Sequence, residues 1–269
     1  MSVEKADSSV DRRQFLTRAG AAGAGVVVSS TALGAFAPAI AAAKSGGVKK
    51  GDIEILVAAQ IAEALAVTTY TNIIKTAPFF TRLADDDKGY LEAARQEEMS
   101  HYLLEESVTK KPSPFTTFYY PPKMFTDAQT TMSTLVTLED AFIAAYLVGV
   151  RDFSNANLRV TAARIMGIES DHRTLARVLG SDISPTDGGP LETLTGAQGT
   201  AESVDPPNNN GYERTLKWTN IKSAVKALTP FASPTAAAKA GFDTTKAFKF
   251  EPFTPKLPQP LGEFHSFLG

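Results

Sequence analysis

The sequence predicts an all-α protein, a four-helix bundle with a long crossover between its second and third helices and a Pro/Phe-rich C-terminal extension. Three observations predict it. Four stretches between residues 51 and 180 repeat apolar residues at three- and four-residue steps, the period of one helix face. The second and fourth carry Glu98-Met99-Ser100-His101 and Glu169-Ser170-Asp171-His172, which use two of the three histidines in the 269 residues. The segment between the second and third stretches holds Pro112, Pro114, Pro121 and Pro122 and cannot be helical.

Residues 1–43 precede the bundle and read as an export signal. Arg12-Arg13 stands just before Phe15-Leu16, and residues 19–43 carry no charge and close on Ala41-Ala42-Ala43. The pattern resembles a twin-arginine (Tat) signal, with Asp11 where that type usually has Ser or Thr. Its length would also suit a membrane anchor, but Gly, Ser, Thr and Pro38 break an already weak apolar run. The expectation is a periplasmic or extracellular protein with no membrane contact after cleavage.

The domain expected over residues 44–180 begins with a helix over 51–75, where Ile53, Leu56, Gln60, Glu63, Val67, Tyr70 and Ile74 share a stripe. A second, over 86–108, aligns Leu91, Ala94, Glu98, His101, Glu105 and Val108. The third, over 127–155, aligns Leu135, Glu139, Phe142, Tyr146, Gly149 and Phe153. The fourth, over 157–180, aligns Leu158, Ala162, Ile165, Glu169, His172 and Leu179, and Gly180 is expected to stop it. In the first and third, a glutamate stands seven residues before a tyrosine, two turns along one face. The same helical hairpin therefore occurs twice, with Glu63 matched to Glu139 and Glu98 to Glu169.

The links define the topology. Residues 78–85 and 155–157 are short connections, which imply antiparallel neighbours. Residues 109–126 reach about 60 Å when extended, against about 35 Å for a helix of this length. They can run from one end of the bundle to the other, with Phe115, Phe118, Tyr119 and Tyr120 covering its side. Residues 181–269 form the extension. They open with a Gly-, Pro-, Asn- and Thr-rich loop to residue 211, then offer short helices over Leu216–Leu228 and Ser233–Ala240. From residue 242 an aromatic, proline-rich tail is expected to wrap the bundle or to mediate self-association into a homo-oligomer. His265 has no helical carboxylate partner and reads as a surface residue.

Composition limits the function. With 27 Lys+Arg against 29 Asp+Glu and no basic cluster, no nucleic-acid or anionic-membrane partner is expected. The absence of cysteine excludes disulfides, thiolate zinc sites and iron–sulfur clusters.

Residues three apart on a helix lie on nearly one face, so Glu98 with His101 and Glu169 with His172 can each offer an oxygen and a nitrogen to one metal ion. Across a bundle the two motif carboxylates can bridge two ions, and Glu63 and Glu139 can each bind one of them terminally. Carboxylate and imidazole donors suit iron or manganese. Four buried carboxylates would repel one another without a counter-charge, and no core Arg or Lys is evident on the stripes to supply it. Two divalent ions would balance them. Tyr70 and Tyr146 are candidates for bonding the ligand carboxylates, with Gln60 a weaker one. Glu105 is expected in water at the bundle end.

The residues Glu63 to Tyr70, Glu98-x-x-His101, Glu139-Asp140-Ala141 to Tyr146, Ile168-Glu169-x-x-His172 and the Phe-Tyr-Tyr-Pro-Pro crossover resemble the ferritin-like superfamily. In particular they resemble the bacterial ferritin-like domains that include desiccation-related proteins, often Tat-exported. The resemblance covers residues 51–180. It implies a dinuclear metal site, with Glu98 and Glu169 bridging, Glu63 and Glu139 terminal, and His101 and His172 completing the ligand set. Members of the superfamily oxidise and store iron, reduce peroxide or activate oxygen. The expectations are an exported di-iron protein that oxidises Fe(II) with oxygen or peroxide in stress protection, or a non-enzymatic desiccation-related protein whose metal site is structural or vestigial.

Overall fold

The structure is a computed structural model. It describes residues 48–182, 218 and 220–256. The export signal, the loop from residue 183 to 211, Leu216, His265 and the tail beyond residue 256 lie outside them.

Four long helices dominate: α1 (Lys50–Thr76), α2 (Asp85–Thr109), α3 (Ala128–Asp152) and α4 (Ala156–Asp182). α1 packs chiefly on α2, and α3 on α4, so each predicted hairpin forms a pair. α1 and α3 are long and apolar enough to cross a membrane, but 78% and 61% of their most apolar windows are buried within the fold. They are core helices.

The ends follow local chemistry. Three aspartates, Asp85 to Asp87, occupy the first turn of α2, where negative charge complements the helix dipole. Lys110 ends that helix in the left-handed region at φ 61°. Asp127 caps α3 by accepting from the Thr130 N–H at 2.8 Å. Asn155 Oδ1 accepts from the Asn157 N–H at 2.9 Å at the start of α4. Asp52, in the first turn of α1, accepts from the Ser154 N–H and Oγ–H, both at 2.7 Å, and so fastens the α3–α4 link to the end of α1. α4 runs through Gly180 to Asp182. A glycine inside a helix costs only about 1 kcal/mol, less than the packing of the preceding turns supplies.

The crossover traverses the bundle side and is more ordered than its prolines suggest. Thr117–Tyr120 forms β1, which pairs antiparallel with β2 (Asp243–Lys249) from the tail, placing Phe118 opposite Phe248. Strand pairing was not anticipated; its partners lie more than 120 residues apart and neither strand is stable alone. Phe118 and Tyr120 are buried, Tyr119 is half-buried and Phe115 is exposed. α5 (Ile221–Ala232) and α6 (Pro234–Lys239) precede β2. α5 begins later than its apolar spacing suggests because Asn220 caps it, and it runs past Pro230, which removes a single bond in the last turn.

The described part of the tail wraps the bundle. Tyr120 packs edge-on against Phe248 and Phe231, with ring centroids 5.3 and 5.9 Å apart. Phe250 lies 4.7 Å from the ring of Tyr102 on α2. The Arg95 guanidinium sits 4.1 Å from the Phe253 ring centroid. One large apolar cluster thus joins the helices, crossover and tail, while a second, around Leu56, Leu104, Tyr146 and Ile165, fills the rest of the bundle.

Candidate metal centre

Each of the four long helices contributes to one polar cluster in the apolar interior. α1 brings Glu63, α2 brings Glu98 and His101, α3 brings Glu139, and α4 brings Glu169 and His172. None of the six is more than 4% exposed.

Both histidines direct Nδ1 to the carboxylates. His101 Nδ1 lies 3.6 Å from Glu63 Oε2, 3.5 Å from Glu98 Oε2 and 3.3 Å from Glu169 Oε1. His172 Nδ1 lies 2.9 Å from Glu98 Oε1 and 3.4 Å from Glu169 Oε2. The donors fall into two groups, each with atoms within 4.8 Å of one another: Glu63, Glu98, His101 and Glu169, and Glu98, Glu139, Glu169 and His172. Both groups contain Glu98 and Glu169.

Hydrogen bonding leaves this cluster incomplete. Glu98 Oε2, both oxygens of Glu169, Oε2 of Glu63 and of Glu139, and His101 Nδ1 have no hydrogen-bond partner, and Glu98 Oε1 and His172 Nδ1, 2.9 Å apart, are not aligned for a hydrogen bond. Buried polar atoms are normally paired. The unpaired atoms here converge, and they are hard oxygens and imidazole nitrogens of the kind that iron and manganese accept. These residues could hold metal ions.

The protein alone handles this charge poorly. Burial, then the charges of Glu98 and Glu169, push the Glu63 and Glu139 carboxyls well above the ordinary range. Burial also raises Glu98, but His172 and His101 outweigh it and hold that carboxyl below the usual range. Burial lowers both histidines, yet the surrounding carboxylates reverse this and raise both well above the usual imidazole value. The cluster therefore retains protons that divalent ions would replace.

Tyr70 and Tyr146 reach the centre across the bundle. The Tyr70 hydroxyl donates to Glu139 Oε1 at 2.7 Å, and that of Tyr146 lies against Glu63 Oε1. Each tyrosine serves the glutamate of the other hairpin, an exchange the seven-residue spacing did not reveal. Burial, followed by the nearby carboxylates, raises both phenols well above their ordinary value.

Several expectations are corrected. Glu105 is buried, and its Oε1 lies 2.9 Å from the Tyr146 hydroxyl. Its position two turns beyond Glu98 points to the bundle end, but α2 continues to Thr109 and Tyr146 of α3 covers that turn. Gln60 does not bond a ligand carboxylate. Its Nε2 donates to the Lys111 carbonyl and its Oε1 accepts from Thr109, both at 3.0 Å, so it serves the end of α2. Two arginines on α4, Arg173 and Arg177, are buried in the core, and Arg173 Nη1 donates to Asp140 Oδ1 at 2.9 Å. Glu97 was missed altogether: its Oε2 lies 2.9 Å from His172 Nε2. Its position beside Glu98, one step off the stripe, was the only available signal.

No curated protein matches the chain. Residues 51–181 match the family model described as a ferritin-like domain, so the helical bundle that encloses these six residues is a ferritin-like one.

Proposed function

We propose that this is an exported protein whose bundle holds two metal ions, with iron as the resident metal and manganese as the alternative the same donors accept. The observation that carries the reading is the pair of donor groups sharing Glu98 and Glu169. Two shared carboxylates between two sets of terminal donors are the arrangement that bridged ions require. Glu98 and Glu169 would bridge, Glu63 and Glu139 would be terminal, and His101 and His172 would bind through Nδ1. Bound iron would supply one-electron redox chemistry and Lewis acidity toward oxygen or peroxide.

The chain's own part is to orient these donors. Tyr70 and Tyr146 fix one oxygen of Glu139 and of Glu63 and leave the other free, and Glu97 fixes the ring of His172 through Nε2. Removal of the donors from water keeps free solvent from competing for them. The reaction proposed is oxidation of Fe(II) by oxygen or peroxide, in an exported protein protective under stress. The twin-arginine pattern of residues 11–18 supports export.

A second reading is a metal site that only locks the bundle, and the full burial of all six donors favours it. Anaerobic Fe(II) loading, metal analysis and aerobic stopped-flow spectra separate the two. Two ions per chain with Fe(II) oxidation faster than in buffer establish the redox reading. Two ions without that acceleration leave the structural one, and less than one ion per chain refutes both.

A further inference from the structure

Beside the His101 half of the centre lies a cavity of about 30 Å³, between α1, α2, α3 and α4. Small side chains at Ala59, Ala62, Ala145 and Ala162 open it, and Leu104, Phe142, Leu158 and Ile165 stand among its walls. Gly149 adds to the opening by letting Phe153 lie against α3; a Cβ there would come within 2.9 Å of the Phe153 ring.

Three polar side chains line this apolar space: Glu105, Tyr146 and Thr161. The Tyr146 hydroxyl is already engaged by Glu63 and Glu105. Glu105 is only half engaged. It is 2% exposed, its Oε1 faces Tyr146, and its Oε2 has no hydrogen-bond partner. An unpartnered, buried carboxyl oxygen on the wall of an apolar cavity is a recognition element awaiting a partner.

Chemistry narrows that partner. An anion would be repelled by Glu105. An ammonium would satisfy one N–H and leave the others against hydrocarbon. Water needs two to four polar partners to be held firmly, and Glu105 Oε2 is the unpaired acceptor on this wall. A hydroxyl donates to a carboxylate and accepts from a carboxylic acid, so it suits Glu105 in either state, and a short apolar body suits the walls. One water occupies roughly 10–15 Å³ on this measure, so the space takes about two or three heavy atoms. We propose that this cavity binds a small aliphatic hydroxyl compound, with its hydroxyl on Glu105 and its apolar end between α3 and α4, one tyrosine hydroxyl away from Glu63.

The test is a titration of the full, methyl-labelled protein with ethanol, followed by NMR. Saturable shifts are expected at the methyls of Leu104, Leu158 and Ile165, while exposed Val160 shifts only linearly. Glu105→Leu should weaken ethanol binding by about tenfold or more, and Glu105→Gln, which still offers an oxygen, should stay within about threefold. If Glu105→Leu does not fold, a size series on the unsubstituted protein decides: methanol should saturate the same methyls and cyclohexanol should not. Shifts that never saturate, equal affinity in Glu105→Leu, or saturation by cyclohexanol would each overturn the proposal. Saturation is expected in metal-free protein too, so the outcome is independent of whether the centre binds iron.

Discussion

At the His172 half of the centre, Tyr70 bonds Glu139 alone and Glu97 holds the far nitrogen of the imidazole. At the His101 half, Tyr146 lies between Glu63 and Glu105, and an apolar cavity adjoins the pair. The two hairpins are offset by 71 residues at their Glu-x-x-His motifs, so the counterpart of Glu97 is Ile168 and that of Glu105 is Ala176. The duplicated pattern gives both halves their donors. The unmatched positions make one half tightly braced and the other open to a small molecule. Symmetric ligands with asymmetric surroundings suggest that the two metals would differ in affinity and accessibility.

The largest effect should come from removing what the halves share. Glu98→Ala or Glu169→Ala should lose both ions, because each carboxylate belongs to both donor groups. Glu63→Ala or Glu139→Ala should lose chiefly one. Metal analysis after anaerobic Fe(II) loading checks this, and retention of both ions in either bridging variant would show that the halves are independent.

Metal-free protein should reveal the protons that the centre holds. Glu63, Glu105 and Glu139 have raised carboxyl pKa values, by burial first, so the stability tied to their protonation is complete below the ordinary carboxylate range and is lost as pH rises through their folded values. His101 and His172, raised by their carboxylate neighbours, act in the same direction above the ordinary imidazole value. Glu98 is shifted down, so its contribution is lost only as pH falls below the ordinary range. Above about pH 5 the net slope is therefore negative: the melting temperature of metal-free protein should fall toward alkaline pH. Bound metal would replace those protons, so the gap between Fe(II)-loaded and metal-free protein should widen over the same window. Thermal unfolding of both forms from weakly acidic to weakly alkaline pH checks the sign, and a metal-free melting temperature that rises with pH contradicts it.

Glu97→Gln touches one half only. Removing the charge behind His172 should weaken metal binding there by about 10–100-fold while the His101 ion stays in place. Competition with a chelator would resolve two affinities where the unsubstituted protein shows closer ones, and an equal loss at both halves would argue against a local role for Glu97.

The legible part of this molecule was whatever repeats within a helix. Glu98 and His101, or Glu63 and Tyr70, are separated by whole turns, so their shared face follows from backbone geometry. The crossover was legible too, since four prolines exclude helix and the length suffices. What escaped depended on contacts between distant segments. The β1–β2 pairing needs residues 117 and 249 together, the exchange of tyrosines between hairpins depends on how α1 and α3 face each other, and the burial of Glu105 depends on Tyr146 from another helix. Glu97 sits off the stripe and meets His172 only because α2 and α4 are neighbours.

The smallest effect should come from the two tyrosines, which differ by a single carboxyl partner. Tyr70→Phe removes the donor from Glu139 Oε1 alone, whereas Tyr146→Phe strips a partner from both Glu63 and Glu105. Each buried polar group left without its hydrogen-bond partner costs about 1–3 kcal/mol. Tyr70→Phe should therefore lower stability by about 1 kcal/mol and Tyr146→Phe by about 2 kcal/mol, measured by denaturant unfolding of metal-free protein. Metal should reduce the gap, because an ion on Glu63 would satisfy that carboxylate and leave Glu105 as the remaining difference. Equal losses in the metal-free protein would mean that Glu105 takes its proton from elsewhere, and the open half would then be no less self-contained than the braced one.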